Sequence, residues 1–148
     1  MYFRFPDFLK PNAFSFEIFN FSLSLTWYSL SYIFGIICAW YLINSIAKKQ
    51  SLWPERSPLD TQNVEDLMTY LILGIILGGR IGYVLFYNPE FYLKSPIRIL
   101  YLWEGGMSFH GGFIGVVLGA LYYSIRNTKS ILPMGDIIAV STPPGIFF

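Results

Sequence analysis

The stretch WEGGMSFHGG, residues 103–112, sets the single histidine of the chain, His110, between two glycine pairs, Gly105-Gly106 and Gly111-Gly112. An imidazole titrates near neutral pH and is suited to take or return a proton, and glycines on both sides clear room for a substrate to reach the ring. The competing reading is a helix-start histidine bonded to nearby backbone, or one wetted at an interface beside Tyr101 and Trp103. Arg80 is the second group of interest, because it lies inside the long apolar run from Leu67 to Tyr87. A charge at that depth in hydrocarbon is unfavourable by roughly 2.5 kcal/mol or more, so the guanidinium needs a partner. Either it grips an anion such as a phosphate, or it snorkels or pairs with a backbone carbonyl or Asp136 and fixes the packing. Tyr83 and Tyr87 fall on the same helical face as Arg80 and place two phenols beside it, as candidate substrate contacts. Tyr28, near the start of an earlier apolar run, is a third polar group of this kind.

The elements that must position these groups are apolar helices. Of 148 residues, 54% are hydrophobic and 13% charged, which points to a bilayer rather than water as the solvent. A span needs roughly 17 to 25 mostly apolar residues. Three runs qualify, Leu25–Ile43, Leu67–Tyr87 and Met107–Ile125, and a fourth, Ile131–Phe148, is broken by Asp136 and Pro143-Pro144 and looks cut off. The expected fold is therefore an all-α integral membrane bundle, a single domain over residues 1–148, with three full spans, a truncated fourth and interfacial amphipathic segments. Lys48, Lys49 and Arg126 hug the membrane on one side, so the positive-inside rule puts the N-terminus outside. Tyr28, Arg80 and His110 then share the outer half of the bilayer; Arg80, seven residues before Tyr87, is roughly 10 Å deep. One cavity shared by the three is the expectation.

Gly74, Gly78 and Gly82 recur every four residues on one run, and Gly111, Gly115 and Gly119 on the next. In lipid, small residues at that spacing let two backbones approach, so each stripe is expected to face another helix. Residues 88–106, rich in aromatics with Lys94 and Arg98, read as an interfacial helix or arm, and Pro96 can start a helix. The aromatic N-terminal segment, residues 1–19, reads as a cap on the outer surface. Asp60 or Thr61 can cap the helix that carries Val64, Leu67, Met68, Leu71, Ile72 and Ile75 at helical spacing.

Ten Lys+Arg against nine Asp+Glu leave no basic face for nucleic acid. Cys38 is the sole cysteine, so one chain builds neither a disulfide framework nor a thiolate metal site; it reads as a small core hydrophobe. The first apolar run is too long for a signal-peptide core and is followed by no small-residue cleavage site, so it reads as an anchor.

GGRIGYVLFYNPEFY (78–92), LWEGGMSFHGGFIGVV (102–117), WYSLSYIFG (27–35) and the stretch Asp136 to Ala139 closely resemble prolipoprotein diacylglyceryl transferases of the bacterial inner membrane. That resemblance runs over essentially the whole chain. It implies a multi-pass inner-membrane protein with its N-terminus outside, which moves the diacylglyceryl group of phosphatidylglycerol to the lipobox cysteine thiol of a preprolipoprotein. Under it His110 matches the motif histidine, as base or hydrogen-bond organiser, and Tyr28 matches a first-span tyrosine. Arg80 matches the arginine of the GGRxGY element, which holds lipid phosphate or braces the cavity. No metal or organic cofactor is implied, and the partners are the lipid, the lipobox segment and the bilayer. The family's pattern continues past GIFF into a GR-x-x-NF-x-NGE signature and further spans, absent from these 148 residues. The chain is thus expected to be the N-terminal portion of a longer transferase or a truncated, non-catalytic remnant. A small membrane binding or channel subunit, with Arg80 and His110 as an anion or proton relay, is the alternative from another class.

Overall fold

The computed structural model describes residues 12–18, 21–53, 57–127 and 130–147. A β-hairpin, β1 (Asn12–Ile18) and β2 (Phe21–Thr26), leads directly into α1 (Trp27–Lys48). Then follow α2 (Thr61–Phe86), the short α3 (Pro89–Lys94), 3-10 turns over Pro96–Leu100 and Leu102–Glu104, α4 (Phe109–Asn127) and α5 (Ile131–Phe147). The hairpin corrects the all-helical expectation. Its residues alternate apolar and polar, as in Phe14-Ser15-Phe16-Glu17 and Phe21-Ser22-Leu23-Ser24, and a period of two specifies a strand. The two strands are antiparallel, with Ser15 opposite Ser24 and Phe16 opposite Leu23. Thr26 ends the second strand and starts the helix: its hydroxyl accepts the Ser29 N–H at 3.1 Å, which stops α1 from fraying at its first turn.

Two helices have both the length and the apolarity to cross a bilayer, over Ser29–Lys48 and Gln62–Phe86. Only 22% of each window is buried, which distinguishes them from core helices of a water-soluble domain. On α2 the exposed large apolar side chains include Leu73, Leu77, Ile81 and Leu85, a leucine-isoleucine stripe at a spacing of four, whereas Gly111 and Gly115 of α4 are buried. Large apolar side chains outside and glycines inside is the arrangement expected where lipid, not water, is the surroundings. In α4 the apolar residues are diluted by His110, the glycines, Tyr122 and Tyr123. α5 continues through Pro143 and Pro144 rather than stopping at them.

The closest pairing is α2 against α4, followed by α1 against α5. The glycine stripes do face other helices, and they face each other. A Cβ on Gly74 would run into the carbonyl of Gly115, and one on Gly78 into the carbonyl of Gly111. One on Gly82 would lie 2.8 Å from the Gly111 Cα, and one on Gly119 lies 2.6 Å from the Tyr70 carbonyl oxygen. At the far end of the same pair the packing changes character. Ile43 and Ala47 of α1, Leu67 and Leu71 of α2, Ala120 and Tyr123 of α4, and Met134 and Ile137 of α5 form one buried cluster with Leu59. This cluster joins the end of α1, the start of α2, the end of α4 and the start of α5, so the helices alternate in direction. Tyr28, Arg80 and His110 consequently belong to the opposite half.

Candidate functional site

Ser108 begins α4. Its hydroxyl accepts the Gly111 N–H at 3.2 Å, its carbonyl accepts the Gly112 N–H at 2.9 Å, and its own N–H donates to the Gly79 carbonyl of α2 at 2.9 Å. The first turn of α4 is thereby capped internally and tied sideways to the neighbouring helix. His110 sits in that turn with its ring exposed and set edge-on to Phe109, the centroids 5.8 Å apart. An accessible imidazole on a pinned turn is what a general base needs: the ring can be reached, and its backbone does not wander.

Arg80 is oriented differently from a ligand-gripping cation. It is 2% exposed. Its Nε donates to the Ile99 carbonyl at 2.9 Å, and Nη2 donates to the carbonyls of Arg98 at 2.6 Å and Tyr101 at 3.0 Å. Nη1 donates to Gly105 and, at 3.2 Å, to Gly106. A guanidinium has five N–H groups, and all five meet backbone carbonyls of one segment. The Tyr92 ring covers the planar group, with the guanidinium carbon 5.3 Å from its centroid. Of the alternatives open for Arg80, pairing with carbonyls is the one the geometry supports; no donor is left for a phosphate or for an anion relay.

Tyr83 and Tyr87 stack at 5.3 Å, and Tyr83 meets Tyr92 edge-on at 6.4 Å. Tyr83 also presses on Gly106, where a Cβ would clash with the phenol ring. Gly105 and Gly106 both have positive φ, 79° and 83°, a backbone conformation that side-chain-bearing residues rarely adopt. Tyr87 is 62% exposed and free to meet a ligand, whereas Tyr83 serves the packing of the loop. The glycines of the motif therefore divide into separate duties: Gly105 and Gly106 turn the chain, Gly111 closes the helix seam, and Gly112 has only the Ile75 carbonyl oxygen near its Cβ position, at 3.7 Å.

The shared chamber expected for Tyr28, Arg80 and His110 is not what the described residues form. Arg80 is closed over by the 98–106 segment, His110 is exposed on α4, and the side chain of Tyr28, second residue of α1, lies outside the described residues. A shallow groove of about 480 Å³ is lined by Trp40, Tyr41, Asn44, Ser45 and Lys48, toward the other end of α1. The 88–106 stretch is not one amphipathic helix but α3 followed by two 3-10 turns, begun at Pro89 and Pro96. Ser108, Gly79 and Tyr92 are the site residues that sequence reasoning passed over. Ser108 carried a signal: a serine three residues ahead of Gly111, at the mouth of an apolar run, is a helix N-cap pattern. No signal short of the fold marks Tyr92 as the lid on Arg80.

The model of the prolipoprotein diacylglyceryl transferase family matches residues 14–148. The chain belongs to that family. A phosphatidylglycerol–prolipoprotein diacylglyceryl transferase of Cereibacter sphaeroides strain ATCC 17025 is 46% identical over 146 residues, covering 99% of this chain and 50% of the relative. The transferase of the same name from Roseobacter denitrificans is 46% identical over 143 residues, 96% of this chain and 48% of the relative. The chain spans about half the length of the curated relatives it matches. Both motif stretches, 78–92 and 102–117, lie within the matched residues and form the α2–α4 half of the fold described above.

Proposed function

We propose that these residues are the N-terminal portion of a phosphatidylglycerol–prolipoprotein diacylglyceryl transferase of the bacterial inner membrane, with α1, α2 and α4 crossing the bilayer, α5 beginning a fourth span and the N-terminus outside. The observation that carries the reading is an accessible His110 on a capped, laterally tied helix turn in a chain of this family. In the reaction, the thiol of a lipobox cysteine gives its proton to the imidazole, and the thiolate sulfur attacks the glyceryl carbon that carries the phosphate ester. A C–S bond forms, the C–O bond breaks, and the electron pair leaves with glycerol phosphate, which takes up the proton. The thiolate is the competent nucleophile, and most cysteine is protonated at neutral pH, so a base beside the thiol is required.

Gly112 keeps the surroundings of the ring free of a side chain, Tyr87 is an exposed phenol available to orient the lipid, and Tyr28 is the second candidate catalytic residue. The donors of Arg80 are committed to the backbone, so the lipid phosphate is not assigned to them. No metal or organic cofactor enters the scheme. The test is transfer of labelled diacylglyceryl from phosphatidylglycerol vesicles to a lipobox peptide by a chain carried to the family's full length. His110→Ala is expected to lower the rate at least about 100-fold, the scale of general acid–base catalysis, with membrane insertion unchanged. Transfer at near-native rate by that variant rejects the role of His110.

A further inference from the structure

Residues 98–106 are the least regular part of the chain near the site: two 3-10 turns and two glycines of positive φ, in which the carbonyls of Arg98, Tyr101 and Leu102 each accept one backbone N–H and neither a longer helix nor a sheet takes up the rest. They nevertheless fold back against a membrane helix, where water is scarce and an unpaired carbonyl is costly. The partner supplied is one guanidinium from α2, which meets the carbonyls of Arg98, Ile99, Tyr101, Gly105 and Gly106 together. The residue before it, Gly79, receives the Ser108 N–H. Two consecutive positions of α2 thus hold both sides of Met107, one through a side chain and the other through its backbone. His110 lies two residues beyond Ser108, in the turn that Ser108 caps.

From this geometry we infer that Arg80 is a positioning residue: through the carbonyls of Gly105 and Gly106 it fixes the 98–106 ledge, and through the ledge and Ser108 it fixes where His110 meets the substrate. The inference rests on His110 acting as the base. A lysine cannot replace the arginine, because a single ammonium offers three donors from one point where the ledge uses five in a planar fork. Gly106 is the same device seen from the other side, since a side chain there displaces Tyr83 and the ledge while leaving every charge in place.

The experiment measures kcat and KM for phosphatidylglycerol in the full-length chain, for Arg80→Lys, Gly106→Ala and His110→Ala, alongside hydrogen exchange at the Ser108 amide. Arg80→Lys and Gly106→Ala are each expected to lower kcat toward about 100-fold, as for a misplaced reacting group, with KM within about twofold. Faster exchange of the Ser108 amide accompanies both. A raised KM at preserved kcat in Arg80→Lys, the signature of a lost phosphate grip, overturns the inference, as does native kcat in Gly106→Ala. Should Arg80→Lys fail to fold, Gly106→Ala decides alone, because it keeps the guanidinium. If His110→Ala turns over normally while both ledge variants do not, the reading of His110 has failed rather than the ledge, and the amide exchange shows the ledge independently.

Discussion

The two ends of the α2–α4 pair are built by opposite means. At the far end, side chains fill the space: Leu67 and Tyr123 are wholly buried, the Tyr70 ring lies 5.6 Å from those of Tyr122 and Tyr123, and the Tyr123 hydroxyl donates to the Asn63 carbonyl at 3.0 Å. At the histidine end there are almost no side chains between the helices; backbone meets backbone at Gly78, Gly82, Gly111 and Gly115, and one arginine gathers the loop beyond them. A side-chain core can relax around a change, because rotamers shift. A backbone seam cannot, because moving one carbonyl moves the helix that carries it. The rigid end is the one that bears His110, where the proposed base chemistry needs a fixed geometry and the soft end would serve less well.

The largest effect separating the two ends comes from enlarging the seam. Gly115→Leu puts four carbons where the Gly74 carbonyl and the Gly78 Cα now lie, so α2 and α4 must part. A loss of about 3 kcal/mol or more is expected, at the upper end of overpacking effects, read as the unfolding free energy in bilayers or mixed micelles. An equal tolerance of leucine here and at an exposed α4 position such as Val117 would mean that the helices are not in backbone contact. The mirror experiment truncates the other end. Leu67→Ala leaves a cavity in the cluster of Ile43, Val64, Tyr123 and Met134, and costs about 2 kcal/mol, the low end of the range known in water, because lipid removes much of the transfer gain. A greater loss from Leu67→Ala than from Gly115→Leu would reverse the contrast between soft and rigid ends.

Both ends were partly legible before the fold. The far end announced itself through Val64, Leu67, Met68 and Leu71 at helical spacing, and the seam through two glycine stripes, because periodicity and residue size are local properties. The partner of each stripe was not local: that α2 and α4 face each other follows only once the chain has turned back through 88–106. Arg80 shows the same limit more sharply. Its cost in hydrocarbon demanded a partner, and a carbonyl, a carboxylate and a phosphate were all chemically sound, but five carbonyls between 98 and 106 converge on it only because two glycines of positive φ fold that segment back. The hairpin has a different, weaker signal: a period of two in Ser22, Leu23, Ser24 and Leu25 runs for only a few residues and merges into the apolar run of α1.

The smallest expected effect makes the finest division within the motif itself. Gly111 and Gly112 read alike in sequence, as a pair that clears space beside His110, yet they occupy different surroundings. A Cβ on Gly111 would meet the Gly78 carbonyl and lie 2.9 Å from the Gly82 Cα, whereas on Gly112 the nearest atom is the Ile75 oxygen at 3.7 Å, an ordinary contact. Gly112→Ala is therefore expected to leave the unfolding free energy unchanged within about 0.5 kcal/mol, or to raise it slightly, since alanine is favoured over glycine inside a helix by up to about 1 kcal/mol. Unfolding measurements on that variant place the edge of the seam: a loss comparable to that of Gly115→Leu would extend the backbone contact around the helix to Gly112 and take the room beside His110 away from the substrate. Unchanged stability together with slowed diacylglyceryl transfer would assign that room to the substrate, because a methyl group tolerated by the fold would then be obstructing only what approaches the ring.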